Sequence, residues 1–150
     1  MNKNFKIPTN NLALALGGGA ARGAFHLGVL DFCEQNNIEI KAYSGSSIGA
    51  IISASHASGI SAKEQLKIFS SSDVKKALKF NYFKNGLLRI DTNSKIIKEL
   101  LPIEKLEDIP KPIWINAYDT KRKELHYFNR GDTVTLCMAS SALIPIFKPI

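Results

Sequence analysis

The sequence predicts an α/β fold with a mostly parallel central sheet, and three observations lead to this prediction. The apolar run from Asn11 to Leu16 stops at three glycines, which is typical of a buried strand. Residues 24–35 then show helical spacing of apolar side chains, and a second apolar run covers Ile38 to Tyr43. The order strand, glycine loop, helix, strand is the usual start of a parallel sheet. Because 150 residues suffice for one core, residues 1–150 are interpreted as a single domain.

The first three helices have predictable faces and ends. In the first helix, Asp31 and Glu34 are expected to point outward. A helix of small residues is predicted over Ile48 to Ala57, and Ser61 with Glu64 fits a capping box that starts the next helix. The apolar face expected for the first helix consists of Phe25, Leu27, Val29, Leu30 and Phe32.

The second half of the chain adds further helices and strands. Residues 71–90 are ambiguous and predict no definite element. Asp91 or Thr92 is expected to cap a helix through Leu100. The remaining elements are a strand from Pro112 to Asp119, a turn at 120–123, a paired strand from Glu124 to Phe128, and a helix capped by Asp132 or Thr133 that ends near Ala142.

Composition and charge indicate a soluble protein, at most peripheral to a membrane. The formal net charge is +7, but the lysines are scattered and fit a solvated helix face better than a dedicated anion-binding patch, and no nucleic-acid partner is expected. No apolar run approaches the length of a membrane span, and the N-terminus lacks the features of a secretory signal. Cys33 and Cys137 are expected to be buried thiols in a reducing, cytoplasmic environment. The histidines and acids show no metal-ligand spacing, and no cofactor is expected.

The glycine-rich loop from Gly17 to Gly23 has two interpretations. Read as a dinucleotide loop, G-x-G-x-x-G fails at Arg22 from one start and at Ala20 from the other, although Glu39 lies near the position of a ribose-binding acid. Read as an oxyanion hole, the loop supplies backbone N–H donors to an oxygen that becomes negative. Arg22 in this loop either braces it, through a carboxylate or a carbonyl, or contacts a phosphate.

The segment "YSGSSIGAI", residues 43–51, places a serine in a nucleophile-elbow pattern. Gly45, Ser47 and Gly49 fit G-x-S-x-G, which holds a serine hydroxyl on a sharp strand-to-helix turn. The flanking glycines allow neighbouring backbone to pass without a Cβ clash. The alternative is a Gly/Ser loop that only connects two elements.

Together, "GGGAARGAFHLGVL" and "YSGSSIGAIISA", each after a predicted strand, closely resemble the patatin-like phospholipase family. That family pairs G-G-G-x-x-[RK]-G with G-x-S-x-G. "NRGDTVTLCMASSALIPIFKPI" also looks like the family's A-S-x-x-x-P-x-x-F/M-x-P segment. The resemblance implies a three-layer patatin-like fold, incomplete at its C-terminal end. It is strong over residues 11–58, moderate over 113–149 and weak between them.

The resemblance implies a serine lipid acyl hydrolase that acts through an acyl-serine intermediate. By position, Ser47 is the nucleophile. The oxyanion hole comes from Gly18 and Gly19, with help from Gly17 and the Ile48 N–H. The substrate is a phospholipid or another acyl-ester lipid, and the protein is expected to be cytoplasmic or peripheral at a membrane.

The chain departs from the family pattern in lacking the catalytic aspartate. The family's base lies in a D-G-[GA] motif beyond the A-S-x-x-x-P segment, and no Asp-Gly dipeptide occurs in this chain. Asp119 and Asp132 are interpreted as turn or cap residues, and a Ser47, Asp119, His126 triad is the less favoured possibility. Three explanations stay open: a truncated chain, which we favour and which implies an exposed apolar sheet edge; a partner that supplies the aspartate; or lost catalysis.

Two other functional interpretations accompany the hydrolase. A non-catalytic lipid- or anion-binding module keeps the cleft without turnover, and a Rossmann-type nucleotide-binding protein is the weaker choice. His26, beside the glycine loop, is expected to pack or to orient that loop, whereas no special role is expected of His56. The sequence predicts no oligomeric state.

Overall fold

The computed structural model describes residues 12–71, 78–80, 88–90 and 94–142. The strands are β1 (Leu12–Leu16), β2 (Ile40–Gly45), β3 (Leu78–Phe80), β4 (Leu88–Ile90), β5 (Ile113–Asp119) and β6 (Glu124–Phe128). The α-helices are α1 (Gly23–Gln35), α2 (Ile48–Ala57), α3 (Ala62–Phe69), α4 (Lys95–Leu100) and α5 (Thr133–Ser141). Short 3-10 turns occupy Ala20–Arg22 and Leu106–Asp108.

The main sheet has four strands in the order β1-β2-β5-β6. β1 pairs with β2 and β2 with β5 in parallel, and only β6 runs antiparallel, as the hairpin partner of β5. β3 and β4 form a separate antiparallel pair. The predicted α/β fold with a mostly parallel sheet is confirmed. Because β1 and β2 are parallel neighbours, the loops that follow them emerge at the same edge of the sheet.

One face of the main sheet carries the helices that form the core. α2 packs across β1, β2 and β5, α5 packs on β5 and α2, and α1 and α3 pack on each other and on α2. Alternation along the paired strands puts another set of side chains on the opposite face, and these are exposed. That set includes Ala13, Ala15, Trp114, Tyr118, Leu125 and Tyr127.

Both predicted helix caps in the described residues are present. Ser61 and Glu64 form the reciprocal capping box of α3, and the Asp132 side chain accepts a hydrogen bond from the Thr135 N–H at the start of α5. α4 begins at Lys95; the predicted caps Asp91 and Thr92 lie outside the described residues.

The second strand begins two residues later than predicted. Asn37 has a φ of 53°, and the Ile38 N–H donates to the Cys33 carbonyl at 2.9 Å. Ile38 therefore still belongs to the C-terminal turn of α1, where the apolar pattern predicted the start of a strand. Ile40 is the first residue of β2.

The predicted apolar face of α1 is only partly correct. Leu27 and Leu30 are buried, but Phe25, Val29 and Phe32 are 76%, 47% and 49% exposed. These three residues recur at helical spacing and form a separate outward stripe, since Cys33 completes the buried face instead. Glu34, predicted to point outward, is half-buried and hydrogen-bonded, as described below.

Candidate active site

Ser47 stands in a strained backbone conformation between β2 and α2. Its φ is 53° and its ψ is −124°, outside the regions that residues with a side chain normally adopt. Such a conformation costs on the order of 1–3 kcal/mol and persists only where the surroundings enforce it. Ser47 is the N-cap of α2, yet its side chain makes no capping hydrogen bond. The hydroxyl therefore remains available for chemistry.

The two glycines of the motif let β1 and α2 meet closely around the serine. A Cβ added to Gly49 would lie 2.0 Å from the Leu16 carbonyl oxygen, and one added to Gly45 would lie 2.5 Å from the Ala50 Cα. The Ser46 N–H donates to the same Leu16 oxygen at 3.0 Å. The end of β1 and the turn containing Ser47 are thus held together by backbone contacts that no larger residue permits.

The glycine loop passes directly beside Ser47. A Cβ added to Gly18 would lie 3.3 Å from the Ser47 Cβ and 3.9 Å from its Oγ. Gly19 has a φ of 156° and a ψ of 14°, and this backbone turn leads into the 3-10 turn before α1. Within the described residues, the N–H groups of Gly18, Gly19 and Ile48 have no hydrogen-bond partner. Of these three residues, Gly18 is the one whose distance to the Ser47 hydroxyl is given by the close contact above.

Two residues flank the glycine loop. His26 Nε2 lies 2.8 Å from the Gly17 carbonyl oxygen, so the imidazole N–H can hold the loop from α1. Arg22 is exposed, its backbone N–H donates to the Gly19 carbonyl at 3.0 Å, and its Cβ lies over Gly19. Within residues 12–71 and 94–142, no carboxylate lies within ion-pair distance of the Arg22 guanidinium. The contacts of Arg22 with Gly19 are thus made by its backbone and Cβ, which the guanidinium does not determine.

An apolar cleft of about 600 Å³ opens beside Ser47. Leu27, Ile51 and Ile52 form its floor, and Leu66 and Phe69 of α3 form one wall. Burying a methylene group in such a cleft contributes roughly 0.8 kcal/mol. The remaining lining residues are Ala20, Ala21, Gly23, Ala24, Ser47, Ile48, Ser70 and Ser141. None of these lining residues, all from 12–71 and 94–142, is an acid or a histidine.

The aspartates considered as a base have structural partners. Asp119 Oδ1 accepts the N–H groups of Lys121 and Arg122 at 2.8 and 3.0 Å, and these bonds lower the pKa of its carboxyl group. Asp119 and His126 line a different cleft, formed by the β5–β6 hairpin and α5, that does not include Ser47. Asp132 caps α5. The described residues therefore do not bring Ser47, Asp119 and His126 to one cleft.

A buried hydrogen-bonded chain that the sequence did not predict lies at the far end of α2. The Tyr43 hydroxyl lies 2.5 Å from His56 Nδ1, and His56 Nε2 lies 2.8 Å from Glu34 Oε1. Glu34 also accepts the Ala62 N–H at 2.9 Å. Since a carboxylate only accepts, His56 donates through Nε2, and its Nδ1 accepts the Tyr43 proton. Burial lowers the pKa of His56 and raises that of Tyr43.

A second contact that the sequence did not predict links Ser47 to α5. The Ser47 N–H donates to Ser140 Oγ at 2.8 Å, across 93 residues of sequence. Ser140 belongs to the "ASS" segment that resembled the family's third motif. The motif therefore indicated that this segment mattered, but nothing in its residues indicated which backbone group it would contact.

Other properties of the described residues bear on the site. Cys33 and Cys137 are buried and free, as predicted, and burial raises the pKa of both thiols. Within the described part of the chain, no three histidine, cysteine or acidic side chains cluster closely enough to hold a metal ion. Among the helices that the structure describes, none combines the length and the apolar character needed to cross a membrane.

Comparisons with known proteins agree on one family. The family model "Patatin-like phospholipase" matches residues 14–150. An uncharacterised NTE family protein of Mycobacterium tuberculosis is 27% identical over 140 residues, which cover 92% of this chain and 39% of that protein. Human patatin-like phospholipase domain-containing protein 6 is 26% identical over 147 residues, covering 94% of this chain and 11% of that protein.

A solved structure shares the fold. The crystal structure of the type III effector protein ExoU matches with a TM-score of 0.64 at 20% identity, covering 89% of this chain and 40% of the effector chain. This chain thus spans well under half the length of these relatives.

Proposed function

This chain belongs to the patatin-like phospholipase family, and from that membership and the geometry around Ser47 we propose that it is a serine lipid acyl hydrolase. The family itself implies a lipid ester hydrolase; the residue roles that follow are our proposal. The observation that supports them best is Ser47 itself, strained, uncapped and beside Gly18 at the rim of an apolar cleft.

In the proposed reaction, Ser47 Oγ attacks the ester carbonyl carbon. The carbonyl oxygen becomes negative and accepts hydrogen bonds from the free N–H groups of Gly18, Gly19 and Ile48. The N-terminus of α2 adds partial positive charge at the same place. The C–O bond to the alcohol then breaks, the alcohol leaves with a proton, and the acyl group stays on Ser47 until water releases the fatty acid.

The proton of Ser47 needs a base that the described residues do not supply. Among the described residues, no acid or histidine lines the cleft, and Asp119 and Asp132 are engaged in the β5–β6 turn and the cap of α5. We therefore propose that turnover by these 150 residues alone is impaired, and that acylation of Ser47 by a reactive ester analogue is faster than its hydrolysis of an ordinary lipid.

The cleft beside Ser47 selects for long acyl chains in this proposal. Each buried methylene contributes roughly 0.8 kcal/mol, or about fourfold in kcat/KM. Leu66, a half-exposed wall residue, is the matched probe: Leu66→Gln should reduce the preference for long over short acyl esters without a large loss of stability.

The test of the function compares two adjacent serines. Ser47→Ala should abolish release of the alcohol from a reactive p-nitrophenyl acyl ester. Ser46→Ala should retain this release, because the neighbour contact of Ser46 is made by its backbone N–H. Equal rates for Ser47→Ala and the unmodified chain would refute the assignment of Ser47.

The alternative of a non-catalytic lipid-binding module is supported by the apolar cleft without a base. It predicts that Ser47→Ala binds a fluorescent fatty acid as tightly as the unmodified chain, while neither releases fatty acid. Detectable turnover that depends on Ser47 would exclude this alternative.

The partner we propose is a lipid surface, met by a cytoplasmic protein that binds it peripherally. β5 runs parallel to β2, so the tip of the β5–β6 hairpin lies at the same edge of the sheet as Ser47. Its side chains Lys121, Arg122 and Lys123 are exposed, and none of them pairs with an acid among the described residues. Cations and an apolar cleft at one edge suit an anionic membrane surface.

Co-sedimentation with anionic and zwitterionic vesicles tests this partner. Changing Lys121, Arg122 and Lys123 to glutamine should abolish the preference for anionic vesicles. The charge-matched control changes three lysines at the opposite end of the sheet to glutamine. Lys63 lies in the first turn of α3, and Lys105 and Lys111 precede β5. Equal losses in both triple variants would indicate an effect of net charge alone.

A further inference from the structure

Ser140 of α5 supports the backbone of Ser47 through a single hydrogen bond. The Ser47 N–H donates to Ser140 Oγ at 2.8 Å, and both residues are half-buried. Ser140 in turn directs its hydroxyl proton towards Asn116 Oδ1 of β5, 3.5 Å away. The contact joins the turn after β2 to a helix 93 residues later in the chain.

We propose that Ser140 is a positioning residue that holds Ser47 in its reactive conformation. This inference rests on the proposed hydrolase function and adds to it a residue that touches no substrate. Ser47 follows the end of β2 and is the N-cap of α2, so its N–H has neither a strand partner nor an intrahelical acceptor and needs an acceptor from elsewhere. Ser140 Oγ is that acceptor.

The bonding of the neighbouring groups explains why this hydrogen bond matters for geometry. The Gly49 and Ala50 N–H groups donate to the carbonyls of Ser46 and Ser47, so the turn is closed on its helix side. On the strand side, the Ser46 N–H is held by Leu16. Of the two N–H groups between them, that of Ser47 is held by Ser140, and that of Ile48 has no partner among the described residues. Without the bond to Ser140, the turn can relax towards an unstrained conformation that moves the hydroxyl away from Gly18.

The adjacent residue provides a matched control. Ser141 lies on the same helix and lines the cleft, but its hydroxyl donates to the Cys137 carbonyl at 2.8 Å, within its own helix. Ser140→Ala and Ser141→Ala therefore remove the same group from the same helix, and only the first removes a contact with Ser47.

The decisive experiment measures amide hydrogen exchange at Ser47 by NMR. Ser140→Ala should accelerate exchange of the Ser47 N–H by about fivefold, because a hydrogen bond of this kind contributes on the order of 1 kcal/mol. Ser141→Ala should leave it unchanged, and Ser140→Thr, which keeps the hydroxyl, should restore protection. No acceleration in Ser140→Ala, or equal acceleration in both alanine variants, would overturn the inference.

Labelling of Ser47 by a fluorophosphonate probe separates this inference from the proposed function. If the unmodified chain is labelled, Ser140→Ala should slow labelling about fivefold. Ser58→Ala should not slow it, because that variant removes a hydroxyl that donates to the Ala54 carbonyl at the far end of α2, away from the residues that line the cleft. Labelling of both alanine variants at the unmodified rate would refute a positioning role. If the unmodified chain is not labelled at all, the proposed function fails, and the exchange measurement alone still decides whether Ser140 holds the Ser47 backbone.

Discussion

Gly49→Ala is the substitution with the largest predicted effect on both stability and the site. The new Cβ would lie 2.0 Å from the Leu16 carbonyl oxygen, 2.5 Å from the Leu16 carbonyl carbon and 2.7 Å from the Gly17 oxygen. Ordinary contact begins at 3.4 Å, so the start of α2 and the end of β1 would have to separate by about 1.4 Å. Every clashing atom is backbone, so no side-chain rotation relieves the contact.

The expected free-energy change follows from two opposing effects. Overpacking of this kind costs about 3 kcal/mol or more. Alanine in a helix interior regains up to about 1 kcal/mol of helix propensity relative to glycine. The net loss is then about 2–3 kcal/mol, which lowers Tm by roughly 5–10 °C for a chain of this size.

Gly28→Ala is the matched control in this experiment. Gly28 is also a helical glycine, but it is exposed on α1, and a Cβ added there meets nothing within 4 Å. It should stabilise the protein by up to about 1 kcal/mol, through helix propensity alone. Thermal and urea denaturation followed by circular dichroism measure both variants. If Gly49→Ala is as stable as Gly28→Ala, the close approach of β1 and α2 is wrong.

Three further predictions concern the caps, the loop and the buried chain. Ser61→Ala should lower the free energy of unfolding by about 1 kcal/mol in urea denaturation, since it removes the capping box of α3; no change would argue against that cap. His26→Ala should slow fluorophosphonate labelling of Ser47 with little change in Tm, because the Gly17 carbonyl loses its partner; an unchanged rate would mean that the loop needs no support from α1. Burial lowers the pKa of His56 in the folded state. As the pH falls, the unfolded state therefore binds the proton first. The contribution of His56 to the free energy of unfolding is complete above its unfolded pKa of about 6.5 and is lost as the pH falls below that value. His56→Gln should therefore flatten the pH dependence of the unfolding free energy between about pH 7 and 5, and an unchanged slope would contradict this assignment.

The sequence predicted most of the local structure because the deciding signals are local. Ser61, Glu64 and Asp132 cap their helices through bonds that span three residues, and the turn at 120–123 is closed by Asp119. The motif around Ser47 likewise predicted a sharp turn between β2 and α2. In each case the residue and its partner lie within one turn of chain.

The errors occurred where long-range contacts decide the outcome. Phe25 and Phe32 fit an apolar helix face by spacing, but Cys33 completes the face that the core accepts. Glu34 carries a charge and was expected in solvent, yet it is half-buried and accepts hydrogen bonds from His56 and from the start of α3. Periodicity reports that a helix has two faces; it does not report which face meets its neighbours.

The contacts of the site itself also depend on distant segments. Ser140 meets Ser47 across 93 residues, and the proximity of Gly18 to Ser47 depends on the pairing of β1 with β2. The two motifs predicted that the loop and the serine would be neighbours only through the family resemblance. The physical cause of this proximity is the parallel pairing of β1 and β2, which brings the ends of both strands to one edge of the sheet.

The most direct test of the proposed function is fluorophosphonate labelling of the intact chain, with the modified residue identified by peptide mass spectrometry. We expect one adduct, on Ser47, that disappears in Ser47→Ala and persists in Ser46→Ala. This result would mean that the strained turn and the free N–H groups of the glycine loop together make Ser47 a nucleophile. A folded sample that carries no adduct, or an adduct that survives Ser47→Ala, would contradict it.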